Sequence, residues 1–265
     1  MSTQPPGQRI DPSTPGRRID VVLVVGGKYH DFDYARLELL KLLAEHDEFR
    51  VRVQPDYEDT SGLDAAAILV SYTCDVRPSV PVQQRVRDWV EGGGRWLALH
   101  GTNAALGDAA VRPVATPRVF PLWADTLGSQ FIAHPSIEPY RVEVTDPGHW
   151  LVAGIEPFDA TDELYLNEHA DRPALTPLLH TTWQGTAKGF ADSDWTASDP
   201  RQLVMYLRPL GRGAVLYNTL GHCRGHYDMT PLMDHYPNVD RCSWELPAFH
   251  ELMRRSLRWA RGAQS

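Results

Sequence analysis

The chain has 265 residues, 42% of them hydrophobic and 23% charged, with a formal net charge of −8 at pH 7. That is enough chain to bury a sizeable core, as one large α/β domain or two small ones, and the composition is that of an ordinary globular protein. The acidic excess argues against nucleic acid or an anionic membrane as partner, and no run approaches the ~20 apolar residues needed to span a bilayer.

Residues 1–18 are rich in Pro, Gly, Gln and Ser and contain no apolar h-region. They read as a disordered lead-in to a domain over 19–265, not as a signal peptide. Cys74, Cys223 and Cys242 are odd in number and form no CxxC pair, which points to free thiols in a reducing cytoplasm.

Ile19 to Gly27 is a near-continuous β-branched run, the pattern of a strand buried on both faces of a parallel sheet. Asp33 to His46 follows with Leu37, Leu39, Leu40, Leu42 and Leu43 forming a helical stripe. Phe49 to Val53 alternates apolar and basic residues and predicts a more exposed strand. Ala65 to Tyr72 is apolar and predicts a third strand. Pro81 to Val90 predicts a helix, with Pro81 in its first turn. Gly92-Gly93-Gly94 ends it, and Arg95 to Leu99 makes a fourth strand that stops on His100. This β-α-β-β-α-β opening predicts a doubly wound, mostly parallel sheet with helices on both faces.

Thr102 to Phe120 reads as a loop, and Pro121 to Leu127 as a short helix. Short strands such as Tyr140 to Val144 and Ala174 to Leu179 follow, separated by long loops of the kind that carry function. Gln202 to Arg208 and Ala214 to Leu220 form a hairpin across Pro209-Leu210-Gly211-Arg212-Gly213. Pro247 to Arg261 closes the chain as an amphipathic helix. No internal repeat or clean linker divides it, so one domain is expected.

Three apolar runs each deliver a histidine just past their end: His30 after Gly26-Gly27, His100 before Gly101, and His222 after Gly221. In an open α/β sheet, ligands bind at the carboxyl ends of the strands, so these imidazoles are placed for chemistry near neutral pH. His134 precedes Pro135, which holds its backbone extended. In Asp162-Glu163-Leu164-Tyr165 an extended backbone would put Glu163 and Tyr165 on one face and Asp162 on the other.

His100, His134, Glu163 and His222 are therefore the candidate catalytic groups. Gly27, His30, Gly101, Tyr165 and Asp228 are candidate substrate contacts. His30, His134 and His222 are candidate ligands for a divalent, zinc-like metal. The segment from His222 to Asp228 also carries Cys223 and His226, a scattered ligand set unlike HExxH or paired CxxC. No GxGxxG dinucleotide fingerprint, Walker pattern or GxSxG elbow occurs. Cys74, ending the third strand, would be a nucleophile only beside a histidine that lowers its pKa.

Five short motifs in register resemble the ThuA-like (trehalose utilisation) family. They are Val24-Val25-Gly26-Gly27 with His30-Asp31, Leu97-Ala98-Leu99-His100-Gly101, Gly128-Ser129-Gln130-Phe131 with His134-Pro135, Asp162-Glu163-Leu164-Tyr165, and Gly211-Arg212-Gly213 through Thr219-Leu220-Gly221-His222. The terminal Leu257-Arg258-Trp259-Ala260 also looks like the family's last helix, so the resemblance runs from Ile19 nearly to the end. It implies a flavodoxin-like sheet of the class I glutamine amidotransferase kind. His100 stands at the elbow where that wider superfamily keeps a cysteine, so an acyl-thiol route is not expected. One departure is Cys223, where the family often has Asp after Gly-His; if that carboxylate takes part in catalysis or metal binding, Asp228 would have to substitute, or the activity differs.

The resemblance implies sugar catabolism, and the expected ligand is a small carbohydrate, a disaccharide or an oxidised (keto) derivative. Trp123, Trp150, Trp183 and Tyr165 are candidate faces for a sugar ring. The alternatives are a carbohydrate-binding protein without turnover, and a hydrolase using Cys74 or a metal-bound water. A homo-oligomer is compatible with the sequence.

Overall fold

A computed structural model describes residues 18–108, 110–169, 171–192, 200–230 and 232–262. The expected lead-in lies outside the described residues, apart from Arg18. The elements in chain order are β1 (Ile19–Gly27), α1 (Phe32–Leu43), β2 (Phe49–Gln54), β3 (Ile68–Cys74), α2 (Val80–Glu91), β4 (Arg95–Leu99) and α3 (Pro121–Leu127). They continue as β5 (Gln130–Ala133), β6 (Glu138–Val144), β7 (Phe158–Asp162), β8 (Leu166–Glu168), β9 (Thr176–Thr182), β10 (Arg201–Leu210), β11 (Gly213–Asn218) and α4 (Pro247–Ala260).

Nine strands form one sheet in the order β2-β1-β3-β4-β11-β10-β9-β6-β7, while β5 and β8 pair separately. The fold is α/β with a large mixed sheet. Strands β2, β1, β3, β4 and β11 run parallel, and every pairing from β11 through β10, β9 and β6 to β7 is antiparallel. The physical reason is connection length: a tight hairpin such as β10–β11 can only join antiparallel neighbours, whereas a parallel pair needs a crossover. Strand β3 begins at Ile68, later than Ala65, because Ala65 caps the 3-10 turn Ser61–Asp64 and the Ala66 N–H bonds back to Gly62 O.

Alternate residues of β1 feed two apolar clusters. Val21, Leu23 and Val25 join Leu39, Leu42 and Leu43 of α1 and Phe249, Leu252 and Met253 of α4. Val22 and Val24 join Val86, Trp89 and Val90 of α2 and Trp123 and Leu127 of α3. The period of two along a strand directs successive side chains to opposite sides, which is why β1 shows no polar face.

The parallel strands all end on one edge, and the backbone there is bent hard. Left-handed conformations occur at Tyr29 (φ 71°), just past β1, at Asp75 (φ 54°), just past β3, and at His100 (φ 45°), just past β4. Such conformations cost on the order of 1–2 kcal/mol for a residue with a Cβ and collect at functional sites. Gly101, following His100, has no room for a side chain: a Cβ would lie 2.7 Å from the Thr73 carbonyl oxygen and 2.9 Å from Cys74 Cβ.

Candidate functional site

Each site side chain is delivered by one of these strand ends. His30 follows β1 and precedes α1, whose first turn is capped by Asp31 accepting the Tyr34 N–H at 3.0 Å. His100 opens a 3-10 turn over His100–Asn103. His222 comes from the segment after β11, and Glu163 follows β7 directly. All four are buried. One ligand atom from each of His30, His100, Glu163 and His222 falls within 4.8 Å of the others. His30 packs edge-on against both His100 and His222, with ring centroids 4.9 Å apart in each pair.

Hydrogen bonds to main-chain carbonyls set the tautomers. His30 Nδ1 donates to Lys28 O at 3.0 Å, His100 Nδ1 to Thr219 O at 2.7 Å, and His134 Nδ1 to Pro135 O at 2.7 Å. A carbonyl oxygen only accepts, so these Nδ1 atoms carry hydrogen and, in a neutral ring, Nε2 is left with its lone pair. His100 Nε2 accepts from the Tyr165 hydroxyl at 3.1 Å and lies 3.5 Å from Glu163 Oε2. His134 Nε2 lies 3.5 Å from Glu163 Oε1. His222 Nδ1 is 3.2 Å from Glu163 Oε2, close enough for an ion pair but poorly aligned for a hydrogen bond. Both of its ring nitrogens therefore lack a hydrogen-bond partner, as does His30 Nε2.

Burial works against charge on Glu163, but the facing imidazoles of His134 and His222 outweigh it and hold the carboxyl well below its usual range. Burial also opposes protonation of His222, and here Glu163 prevails and raises the imidazole. His30 is pushed well down, first by burial and then by its neighbours His100 and His222. The arrangement is one ionised carboxylate among imidazoles of opposite tendencies, the separation of acid and base that proton-transfer sites use.

A cavity of about 580 Å³ is lined by His30, His134, Glu163, Tyr165 and His222, while His100 is fully buried behind Glu163 and Tyr165, which it contacts. Its aromatic walls are Tyr29, Phe131, Tyr165, Phe190 and Tyr236. Trp123, Trp150 and Trp183 are not among them: Trp123 is fully buried in the apolar core, Trp150 packs against the cluster that holds α1 and α4, and Trp183 packs against a small cluster of Ala133, Leu164, Leu166 and Ala187 that also meets Phe190. Large flat side chains fill a core as readily as they line a sugar site, so their sequence positions could not separate the two uses.

Other expected site residues divide. Gly27 and Asp228 line a more open adjoining groove, which shares Tyr29 and His30 with the cavity. Asp228 accepts the Gly225 N–H. Gly101 serves the close packing of the chain after β4 against Thr73 and Cys74. His134 faces Glu163 with 26% of its side chain exposed, and the four-residue cluster contains His100 where the expected ligand set had His134. Cys223 turns its sulfur to the Asp31 carbonyl at 3.4 Å and to Tyr72 Oη at 3.3 Å. His226 Nδ1 is 3.3 Å from Pro237 O.

A scan against family models matches residues 21–239 to ThuA, described as trehalose utilisation. This chain belongs to the ThuA family. Among solved structures, the ThuA chain is similar to a ThuA-like protein from Parabacteroides merdae, with a TM-score of 0.65, 14% identity, and coverage of 92% of this chain and 90% of that one. It is also similar to a ThuA-like protein from Bacteroides uniformis, with a TM-score of 0.63, 14% identity and 93% coverage of both. No curated protein matches. At such identities the likeness concerns the fold of the ThuA chain. Among its described residues, no helix is long and apolar enough to cross a membrane.

Proposed function

We propose that this ThuA chain is an enzyme of sugar catabolism, acting on a disaccharide or an oxidised (keto) sugar derivative. The observation that carries the reading is the convergence of His100, His134 and His222 on the single carboxylate of Glu163. Beside a carbonyl-bearing sugar, an ionised Glu163 or a neutral imidazole can take the proton from the carbon next to the carbonyl. A protonated imidazole can give a proton to the oxygen that gains charge or departs. Isomerisation and elimination both need only these groups, and the same donor set also suits metal-assisted chemistry. Tyr165, which lines the cavity with its hydroxyl on His100, can contact a sugar hydroxyl, and the aromatic walls suit a sugar ring's apolar face.

Support for the sugar class comes from family membership and from the cavity's mixture of aromatic walls with a few convergent polar groups. A flavodoxin-like, doubly wound organisation over 19–265 as one domain, and a cytoplasmic setting for its three unpaired thiols, belong to the same proposal. The test is an NMR screen of disaccharides and their 3-keto derivatives, with and without divalent metals. Conversion of at least one compound, lost on His100→Gln, is expected. Affinity without conversion, unchanged by that substitution, would make the chain a carbohydrate-binding protein instead.

A further inference from the structure

We propose that His30, His100, His222 and Glu163 form a binding site for one divalent transition-metal ion of the zinc class beside the cavity. This goes beyond the sugar reading, because an ion can be held there whether or not a sugar is converted.

The donor atoms are already gathered. Ligand atoms around a tetrahedral ion with bonds of ~2.1 Å lie ~3.4 Å apart. Glu163 Oε2 sits 3.2 Å from His222 Nδ1 and 3.5 Å from His100 Nε2, and no pair in the set exceeds 4.8 Å. The widest separation exceeds the tetrahedral spacing by no more than ~1.4 Å.

The imidazoles are also prepared. A metal-bound histidine almost always donates its other ring N–H to a carbonyl or carboxylate, which fixes tautomer and orientation. His30 and His100 do so, to Lys28 O and Thr219 O, leaving Nε2 as the nitrogen each can offer. His30 Nε2 and both nitrogens of His222 are buried without a hydrogen-bond partner. Leaving a buried polar atom unsatisfied is unfavourable, and the fold places three in one cluster. A cation among them would take the lone pairs of His30 Nε2 and of one His222 nitrogen and balance the Glu163 charge together.

The donor chemistry selects the ion. Three imidazoles with one carboxylate suit zinc, nickel, cobalt(II) or iron(II), in contrast to the all-oxygen shells of magnesium and calcium. His30, His222 and Glu163 border the cavity, so a further coordination position would open onto it. His134 stays outside the ligand set and holds the second oxygen of Glu163.

The test uses the full chain with any affinity tag removed, stripped of metal and titrated with Zn²⁺ and Co²⁺ by calorimetry and visible absorption. One ion per chain is expected, with cobalt d–d bands of a four- or five-coordinate nitrogen and oxygen site and a raised melting temperature. His30→Gln and His100→Gln are expected to weaken binding by at least ~100-fold, and His134→Gln by less than ~10-fold, the lower end of outer-partner effects. Folded wild-type protein that takes up neither ion, or binding unchanged by His30→Gln and His100→Gln, would overturn the site. The cobalt spectrum and melting shift of the wild type need no variant, so a substitution that fails to fold leaves the test intact. Because no sugar is used, a failed substrate screen leaves this result standing, and the converse also holds.

Discussion

The Asp162 carboxylate accepts the backbone N–H of His222 at 3.1 Å, and it also accepts those of Glu163 at 2.7 Å, Gly221 at 2.9 Å and Ser243 at 3.3 Å. One fully buried side chain thereby ties the end of β7 to the segment after β11 and to the turn before α4. It is a positioning residue that sets Glu163 against His222. Asp162→Asn would turn an amide N–H₂ toward donors and remove the charge from these hydrogen bonds. A loss of roughly 2–4 kcal/mol in urea unfolding is expected, and a loss below about 0.5 kcal/mol, the level of an ordinary surface change, would contradict this role.

Gly101→Ala tests the turn that presents His100. Its new Cβ would meet the Thr73 carbonyl oxygen at 2.7 Å and Cys74 Cβ at 2.9 Å, both held by β3. The chain after β4 must move, at a cost of about 1–3 kcal/mol, and His100 moves with it. Calorimetric melting should show the destabilisation together with reduced turnover; an alanine variant as stable and active as the wild type would show that the turn has slack.

Cys74→Ser separates thiol chemistry from imidazole chemistry. The thiol is buried and its pKa is pushed well above the usual value, first by burial and then by the Glu163 charge. Neither effect favours a thiolate, the form a nucleophile needs. Turnover should survive in the serine variant, and the folded wild type should resist alkylation at Cys74 near neutral pH. Abolished turnover with an intact fold would restore the thiol mechanism.

His169 gives the stability profile an acid limb away from the site. Burial, more than the nearby Arg172, lowers its imidazole from the usual 6.5 to about 4, even though its Nδ1 donates to Gly128 O at 3.3 Å. Between those values the unfolded chain binds a proton that the folded protein refuses. The stability is therefore whole above about pH 6.5 and is lost as the pH falls toward about 4. By chemical denaturation the wild type should lose roughly 2 kcal/mol more stability than His169→Gln between about pH 7 and about pH 5. Parallel losses in the two proteins would assign the acid limb to other groups.

How far the sequence could be read varied with the physics involved. Strand β1, helix α3 and the β10–β11 hairpin were readable because β-branched runs, a proline start and a glycine turn are local signals. His100 and His222 were readable because each breaks an apolar run at its end. Strands near β6 and β9 were also readable, but how β6, β7 and β9 extend the sheet beyond β10 was not, since the segments between Val144 and Thr176 and between Thr182 and Arg201 carry no local signal for which strands pair. Asp162 looked like one half of an acidic pair, and nothing local shows that its oxygens reach the backbone of Gly221 and His222. The aromatic walls formed by Phe131 and Phe190 likewise depend on loops meeting in space, while the tryptophans, conspicuous in the sequence, went to core packing. His30 was readable on the same ground as His100, as a candidate contact and ligand, and it is as much a part of the cluster.

The claim that Glu163 is the centre of a sugar-processing site is tested most directly by one NMR time course with a 3-keto-disaccharide, comparing the wild type with Glu163→Gln. The wild type should convert the sugar, and the glutamine variant should still bind it while turnover falls by roughly 10²–10⁴-fold, the range for losing a positioned acid–base group. Conversion by the variant at the wild-type rate would contradict the claim.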